Sequence, residues 1–301
     1  MTSIIIPTYN AEQQIHCLCE ALRSQTASSE ILVVDSSSSD KTVEIAESCD
    51  AKVFIVRTED FDHGGTRTLA GKYAKGDILV YMTQDATPFD NHSIENITRP
   101  FADQGIAASF GRQLPYPDAT AFGAHLRLFN YPDVSCLKSL EDRKTYGIRT
   151  AFLSNSFAAY RKTALEEIGW FREKLIMGED IYAGARMLLA GYKIAYVADA
   201  LVYHSHNYTV LQECRRYFDI GVFHKSEHWI IKEFGKAEGE GKRYIQSAYA
   251  FLRKRKKYSL IPGFVIRNTL KYISYTLGRN YDKLPASMIH ICSMHANFWN
   301  V

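Results

Sequence analysis

The sequence predicts an α/β fold with a mostly parallel sheet and helices on both of its faces. Two observations over residues 1–110 support this prediction: continuous apolar strands alternate with segments of helical period, and polar residues follow each strand directly. Continuous apolar strands are typical of a sheet that is buried on both faces, and their alternation with helices builds parallel βαβ units.

The first 110 residues give the elements in order. Apolar runs predict strands at residues 3–7, 30–35, 51–56 and 77–82. Between the first two, apolar residues at 15, 18, 19 and 22 have the period of a helix. A second helix follows Ser39 or Asp40, either of which could serve as its N-cap. The segment "FDHGGTR", residues 61–67, leads into a third helix that begins with "TLAGKYAKGD".

From residue 111 the pattern is looser. We expect a strand at 152–161, helices at 162–171 and 178–191, strands within 192–206 and helices over 209–235. The second of these helices should end at Gly191, since glycine is favoured just past a helix C-terminus. The "GEGK" at 239–242 separates a domain of residues 1–235, with halves 1–110 and 111–235, from a helical C-terminal region at 236–301.

The composition is that of a globular protein that can build a core. Hydrophobic residues make up 46% and charged residues 23% of the 301 residues, which argues against a disordered chain. The six cysteines are scattered without a C-x-x-C pair, so we expect reduced thiols and a reducing compartment. The opening "MTSIIIPTYN" lacks a basic start and a long apolar run, so we expect a strand there and no signal peptide.

The C-terminal region is strongly basic. Residues 241–301 carry eleven Lys and Arg against one acid, Asp282, whereas the preceding residues are acidic overall. Two amphipathic segments, divided at Pro262-Gly263, predict helices that lie on an anionic membrane surface through residues 242–283. The alternatives are a solvated helix face with an ordinary core stripe, and a homo-oligomer formed through the same helices. No nucleic-acid-binding module is recognisable, so we expect no nucleic-acid partner.

Polar residues follow each of the first four strands. They comprise Thr8, Tyr9, Asn10, Asp35, the segment 57–67, Gln84 and Asp85. Ligands of open α/β sheets bind beyond the carboxyl ends of the strands, so these residues predict a binding crevice. Ordinary solvated loops, and a plain turn at "FDHGGTR", are the alternatives that the residues alone leave open.

Six stretches occur together and in order: "SIIIPTYN", "ILVVDSSSSDKT", "FDHGGTR", "TQDA", "MGEDI" and "VYHSHNYT". With them the chain resembles the inverting nucleotide-sugar glycosyltransferases of family 2, which have the Rossmann-like GT-A fold. The third and fourth stretches are similar to those of bacterial rhamnosyltransferases. The resemblance covers about residues 2–210 and implies that 1–110 is the nucleotide-binding half and 111–235 the acceptor half.

The resemblance implies roles for the donor-side residues. Thr8, Tyr9 and Asn10 would lie against the nucleotide, Asp35 would accept from its base, and Arg67 would face the diphosphate. Gly64 and Gly65 would let the diphosphate approach the backbone closely, and the N-terminus of the following helix would face the diphosphate. Asp62, His63 and Gln84 would contact the sugar and diphosphate or brace this clamp.

The resemblance also implies a metal and a base. Asp85 would hold Mg²⁺ or Mn²⁺, with His204 as a second ligand and His206 as the weaker candidate. The single Asp85 departs from the commoner D-x-D pattern. Asp180 would be the general base that deprotonates the acceptor hydroxyl. Glu179 would contact the acceptor or orient the site, and Asn155 and Ser156 would line the acceptor side. Trp170 and Phe171 could pack under a sugar ring, although aromatic residues at such positions are more often part of the core. An "ED" pair can also simply complement a helix dipole.

The function implied is inverting transfer of L-rhamnose from dTDP-L-rhamnose to a hydroxyl of a lipid-linked glycan, in synthesis of O-antigen, capsule or rhamnan. The enzyme would be cytoplasmic and peripheral on the inner face of the membrane. Two alternatives remain: the same fold with another donor such as a UDP-hexose, and a non-catalytic module that binds nucleotide sugar or membrane. A nucleotidyltransferase would want a glycine-rich first loop, which "PTYNAEQQ" lacks.

Overall fold

The computed structural model describes residues 1–236 and 239–300, and residues 237, 238 and 301 of the predicted C-terminal region lie outside them. These described residues form one sheet of nine strands with helices around it. The strands are β1 Thr2–Thr8, β2 Ser29–Asp35, β3 Lys52–Ile55, β4 Ile78–Met82, β5 Thr87–Pro88, β6 Ile106–Leu114, β7 Cys136–Lys138, β8 Phe157–Arg161 and β9 Lys193–Tyr203.

Helices α1 to α8 belong to the first 189 residues, and α9 to α13 to the remainder. Their bounds are α1 Glu12–Arg23, α2 Thr42–Ser48, α3 His63–Tyr73, α4 Ser93–Thr98, α5 Ala121–Asn130, α6 Arg143–Tyr146, α7 Lys162–Glu167, α8 Glu179–Leu189, α9 Val210–Ser226, α10 His228–Phe234, α11 Glu240–Lys254, α12 Ile261–Gly278 and α13 Ala286–Cys292. No helix among the described residues is both long enough and apolar enough to cross a bilayer.

The sheet is parallel in its first half and mixed in its second. The order is β3-β2-β1-β4-β8-β6-β9-β5, with β7 paired to β9. Strands β1 to β4 pair in parallel, as predicted, and β6 pairs in parallel with β9. Strands β5, β7 and β8 pair only antiparallel, which the sequence prediction did not anticipate. The carboxyl ends of β1, β2 and β4 therefore share one edge of the sheet.

Alternate residues of the central strands face two separate cores. Ile4 and Ile6 of β1 join the cluster under α1, α2 and α4, whereas Ile5 joins the cluster under α3, α7, α8 and α9. Successive side chains of a strand point to opposite faces, which explains this division. The predicted helices on both faces are thus confirmed.

The basic C-terminal region packs against the rest of the chain through α12. This helix lies along α9, and both contribute a glycine at the crossing: a Cβ at Gly278 would lie 2.0 Å from the Phe218 carbonyl oxygen, and one at Gly221 would lie 2.3 Å from that of Tyr275. Lys271 and Arg267 of α12 pair with Glu213 of α9 at 3.1 and 2.9 Å. The close approach needs small residues at both positions.

Candidate active site

The loops after β1 and β2 are held together by Asp35. Its carboxylate is fully buried and accepts from the Thr8 hydroxyl at 2.9 Å and from the Ser38 backbone N–H at 2.7 Å. Asn10 has φ +47° and its side chain accepts from the Ser39 N–H. Asp35 therefore holds the loops after β1 and β2 together at the edge of the crevice. Its contact with a nucleotide base stays a prediction.

Gln84 ties the loop after β4 to the loop after β1. Its side-chain oxygen accepts from the Tyr9 N–H at 2.8 Å, and its amide donates to the Tyr9 carbonyl oxygen at 3.3 Å. The Tyr9 side chain itself is 52% exposed. An anchored backbone beneath an exposed aromatic ring suits stacking on a flat ligand. The strand-end residues predicted from the sequence thus lie together.

Asp85, His204 and His206 form a cluster of three metal-ligating side chains. The Asp85 Oδ2 atom lies 3.4 Å from His204 Nε2 and 3.6 Å from His206 Nδ1, and one ligand atom of each residue lies within 4.8 Å of the others. The structure brings together the two predicted ligands, Asp85 and His204. It adds His206, which the sequence had ranked lower.

Gln113 fixes the protonation of His204. The Gln113 side-chain oxygen accepts from the Arg127 guanidinium, which can only donate, so the His204 Nδ1 atom at 2.8 Å from the same oxygen must carry a proton. Burial lowers the pKa of His204, which favours the neutral ring, and in that form its Nε2 atom holds a lone pair. This lone pair faces a carboxylate oxygen, an arrangement that a divalent cation would bridge.

The segment "FDHGGTR" differs from the prediction in where its helix begins. Helix α3 starts at His63, so both glycines lie in its first turn rather than before it. Asp62 is the N-cap and accepts from the Gly65 N–H at 2.6 Å, and its other oxygen accepts from the Lys174 N–H at 2.9 Å. Asp62 thus links the start of α3 to the segment around Lys174, and its contact with the sugar or diphosphate stays a prediction.

The glycine pair has a packing role in this geometry. A Cβ at Gly64 would lie 2.0 Å from the Arg172 carbonyl oxygen, so only glycine fits there. The Asp62 carboxylate already caps the helix N-terminus, where it would repel a diphosphate. The predicted contact between Gly64-Gly65 and the diphosphate is therefore not supported by this structure.

Arg67 reaches from α3 to the first turn of α8. It is buried, donates to the His63 carbonyl oxygen at 2.9 Å and lies 3.4 Å from Glu179 Oε1. Its Nε atom has no hydrogen-bond partner among the described residues. The guanidinium thus neutralises Glu179 in this structure, and its contact with the diphosphate stays a prediction.

Asn155 holds the two acids of α8 in place. Its backbone N–H donates to Asp180 Oδ2 at 3.1 Å, and its side-chain amide donates to Glu179 Oε1 at 3.0 Å. The Tyr160 hydroxyl donates to the Asn155 side-chain oxygen at 2.7 Å, which fixes the orientation of the amide. Asn155 is 3% exposed, so it positions the acids from behind rather than lining the acceptor side as predicted.

The adjacent acids differ in their affinity for a proton. Burial, followed by the charge of Glu179, raises the pKa of Asp180 to about 7. Burial also opposes ionisation of Glu179, but Arg67 and His63 outweigh it and lower the pKa of Glu179. Asp180 is partly exposed, whereas Glu179 is buried. One ionised partner beside a group that titrates near neutral pH is the arrangement of a general base.

Trp170 does not line the crevice. Its indole is 9% exposed and packs in the main core, where its Cζ3 atom would lie 2.6 Å from a Cβ at Gly71. Phe171 packs edge-on against Tyr81 and Tyr160 in the same core. Both aromatic rings lie in the core of this structure, which does not support stacking under a sugar, and the acceptor role of Trp170 stays a prediction. Nothing places Ser156 in the network of Asn155.

Some residues of the site escaped the sequence prediction. Gln113 on β6 and Arg127 on α5 set the tautomer of His204, and His295 near the C-terminus packs its ring against His63 with centroids 5.1 Å apart. Arg216 of α9 is close enough to influence the pKa of both His63 and His295. Only folding brings these residues to the crevice, and no local motif marks them.

The chain is similar to known glycosyltransferases in sequence. The profile of Glycosyl transferase family 2 matches residues 3–169. The chain is 43% identical to the O-antigen chain rhamnosyltransferase RfbN of Salmonella typhimurium, over 99% of this chain and 96% of RfbN. It is 42% identical to the O-antigen chain rhamnosyltransferase WbaN of Salmonella anatum, over 99% and 95% of the two chains.

Solved structures share the fold at lower identity. The mannosyltransferase PcManGT of Pyrobaculum calidifontis, in complex with GDP-Man and Mn²⁺, superposes with a TM-score of 0.66 at 18% identity, over 94% of this chain and 88% of that one. TarS of S. aureus gives 0.57 at 18% identity, over 97% and 83%. The predicted GT-A fold is confirmed. The chain belongs to glycosyl transferase family 2.

Proposed function

We propose that this family 2 glycosyltransferase transfers L-rhamnose from dTDP-L-rhamnose to a hydroxyl of a lipid-linked glycan, with inversion at the anomeric carbon. The observation that carries the proposal is the pair Glu179-Asp180 at the start of α8, held by Asn155 beside the strand-end crevice. Similarity to RfbN and WbaN along nearly the whole chain supports rhamnose as the sugar and O-antigen synthesis as the setting.

Asp180 acts as the general base. Its pKa of about 7 leaves it substantially ionised at neutral pH and basic enough to accept the proton of an attacking hydroxyl. The hydrogen bonds from the Asn155 and Ile181 N–H groups, at 3.1 and 2.8 Å, hold both carboxylate oxygens at fixed positions. Attack opposite the leaving nucleotide needs one base and inverts the sugar.

Asp85, His204 and His206 would hold a divalent cation. The chemistry of the donors fits Mg²⁺ less well than Mn²⁺, because two imidazoles join one carboxylate and Mg²⁺ prefers oxygen ligands. When bound, such a cation supplies positive charge for the diphosphate of the leaving group. Arg127 and Gln113 keep the Nε2 lone pair of His204 directed at this position.

The donor nucleotide would lie across the loops after β1 and β2. Tyr9 offers an exposed ring, and the Thr8–Asp35–Ser38 hydrogen bonds hold the loop beneath it. Arg67 would turn to the diphosphate once a ligand competes for its pairing with Glu179. Because the neighbouring structures contain GDP-Man or UDP-GlcNAc, the fold alone leaves the nucleotide open.

A donor panel tests the proposal. Thermal unfolding with dTDP-L-rhamnose, UDP-glucose, UDP-GlcNAc and GDP-mannose, each with and without Mn²⁺, reports binding. A ligand at about 100 times its dissociation constant stabilises by about 2.7 kcal/mol. We expect a shift with dTDP-L-rhamnose that Mn²⁺ enlarges. If only a UDP-sugar stabilises the chain, the donor is that UDP-sugar and not dTDP-L-rhamnose. If a donor binds but none is turned over, the non-catalytic alternative is favoured.

We also propose that the region 242–283 docks on an anionic membrane surface, where a lipid-linked acceptor would be met. Residues 253–257 are five consecutive exposed cations at the end of α11 and the start of its connection to α12. Exposed apolar side chains lie on the same two helices and their connection, namely Ile245, Tyr249, Tyr258, Val265, Ile266, Tyr272 and Ile273. Cations beside exposed apolar residues are typical of helices that lie in a bilayer interface.

Vesicle sedimentation tests the membrane contact. Replacing the five cations of 253–257 by glutamine should abolish binding to vesicles that contain phosphatidylglycerol. Replacing the exposed Lys72 and Lys75 of the body by glutamine should leave binding intact. Equal loss of vesicle binding in both variants, or binding to pure phosphatidylcholine vesicles, would argue against docking through the region 242–283. Concentration-dependent self-association of the chain would favour the oligomer.

A further inference from the structure

We infer that the C-terminal segment 293–296 forms part of the substrate site, where His295 pairs with His63 to hydrogen-bond the hydroxyls of a bound sugar. The inference rests on the proposed glycosyl transfer and adds a residue that lies far from every predicted motif. The two rings meet edge to face, with centroids 5.1 Å apart and an interplanar angle of 86°.

Asp219 of α9 anchors this segment. Its fully buried carboxylate accepts from the Ser293 hydroxyl at 2.8 Å, from the Met294 N–H at 2.9 Å and from the His295 N–H at 3.1 Å. Three donors on one buried carboxylate offset part of its desolvation, although burial still raises the pKa of Asp219 to about 6, and they fix three consecutive residues. The position of His295 is therefore built into the fold rather than left to a loose chain end.

The His295 ring lies among groups of the candidate active site. Beyond the contact with His63, Arg216 and Glu179 are close enough to influence its pKa. His63 begins α3, and its carbonyl oxygen accepts from Arg67, which pairs with Glu179. Arg67 thus links the start of α3, which carries His63, to Glu179, the neighbour of Asp180 on α8.

Both imidazoles are free to bind hydroxyl groups. Burial lowers the pKa of His63, and burial together with His63 lowers that of His295 to about 4, so both rings are neutral at pH 7. A neutral imidazole has one N–H donor and one acceptor nitrogen. Neither ring makes a hydrogen bond to the described residues, so these groups remain available. A sugar hydroxyl, both donor and acceptor, is the complement of such a pair.

Two substitutions at His295 separate hydrogen bonding from packing. His295→Phe keeps an aromatic ring against His63 but removes both nitrogens, and His295→Ala removes the ring as well. His290→Ala on α13, five residues earlier, is the matched control. Thermal unfolding of each variant checks the fold. We expect both His295 variants to weaken sugar-dependent binding by about two- to tenfold, the loss of one neutral hydrogen bond, and His290→Ala to change nothing.

Two measurements identify the sugar. Titration of dTDP and dTDP-L-rhamnose compares the ligand without and with its sugar, and transfer to lipid-linked glycan extracted from membranes gives the acceptor KM. Weaker binding of dTDP-L-rhamnose with unchanged dTDP assigns the pair to the donor sugar, and a raised acceptor KM alone assigns it to the acceptor. Either result supports the inference.

The inference is overturned if His295→Phe matches the wild-type chain in both measurements, because the ring would then only pack. It is also overturned if the His295 substitutions weaken the binding of dTDP and of dTDP-L-rhamnose by the same factor. If the wild-type chain uses another donor, the proposed sugar is wrong, and the same comparison is made with that donor and its free nucleotide. The two failures are therefore distinguishable.

Discussion

Replacing Glu179 by Gln should shift the pH dependence of transfer. In the wild-type chain the charge of Glu179 is the second cause, after burial, of the Asp180 pKa of about 7. Glutamine keeps the side-chain shape and the oxygen that accepts from Asn155, but it removes the negative charge and frees Arg67 from its ion pair. Both changes favour the ionised form of Asp180, so its pKa should fall.

The magnitude follows from the titration of one base. A general base with a pKa of about 7 is about one-tenth ionised at pH 6, so the wild-type kcat there should be about one-tenth of its plateau. Removing one neighbouring like charge should lower the midpoint of this acid limb by about one pH unit. The variant should then retain about half of its own plateau at pH 6.

The assay is kcat from pH 5 to 9 at saturating donor and acceptor, and the readout is the midpoint rather than the plateau. Glu166→Gln, an exposed acid on α7, is the control and should leave the midpoint unchanged. A midpoint in Glu179→Gln that stays at the wild-type value, or rises, would refute the assignment of the acid limb to Asp180 beside Glu179.

Two further predictions concern the metal cluster and α3. Gln113→Leu removes the acceptor that fixes the His204 tautomer, so the Mn²⁺ concentration for half-maximal activity should rise by about tenfold or more; an unchanged Mn²⁺ dependence would contradict the metal assignment. Gly64→Ala places a Cβ against the Arg172 carbonyl oxygen and should lower the free energy of unfolding by about 2 kcal/mol or more in urea titrations. Gly65→Ala meets nothing closer than 3.3 Å and should cost far less, and equal costs would contradict the packing role.

The first half of the fold was predictable because its signals are local. Strands β1, β2 and β4 are largely buried, so each appears as a continuous apolar run, whereas β3 at the sheet edge is apolar in sequence although its Ile55 is exposed. Helix α1 shows its period in Ile15, Leu18, Cys19 and Leu22. The strand-end residues could be grouped because parallel strands end at the same edge of the sheet.

The second half was harder because its pairing is not local. Strands β6 and β8 carry little alternation, and their antiparallel pairing depends on residues about 50 positions apart. The helix that begins at His63 was placed too late because two glycines in a first turn look like a loop. The crossing of α9 and α12 at Gly221 and Gly278 left no pattern within either helix.

The residues of the candidate site likewise divide into those that a local motif marks and those that only folding brings together. Asp85, His204 and Asp180 stand in recognisable stretches, and the structure places His206 beside the first two. Trp170 lies in the core, and the sequence alone does not distinguish a core aromatic ring from one under a sugar. His295 and Asp219 lie 76 residues apart in sequence and meet only in the folded chain.

The central claim is that Asp180 is the general base. The most direct test measures dTDP-L-rhamnose binding and rhamnosyl transfer in Asp180→Asn, which keeps the size of the side chain. We predict a dissociation constant close to that of the wild-type chain and a kcat lower by about 100-fold or more. Transfer at nearly the wild-type rate, with binding intact, would contradict the mechanism.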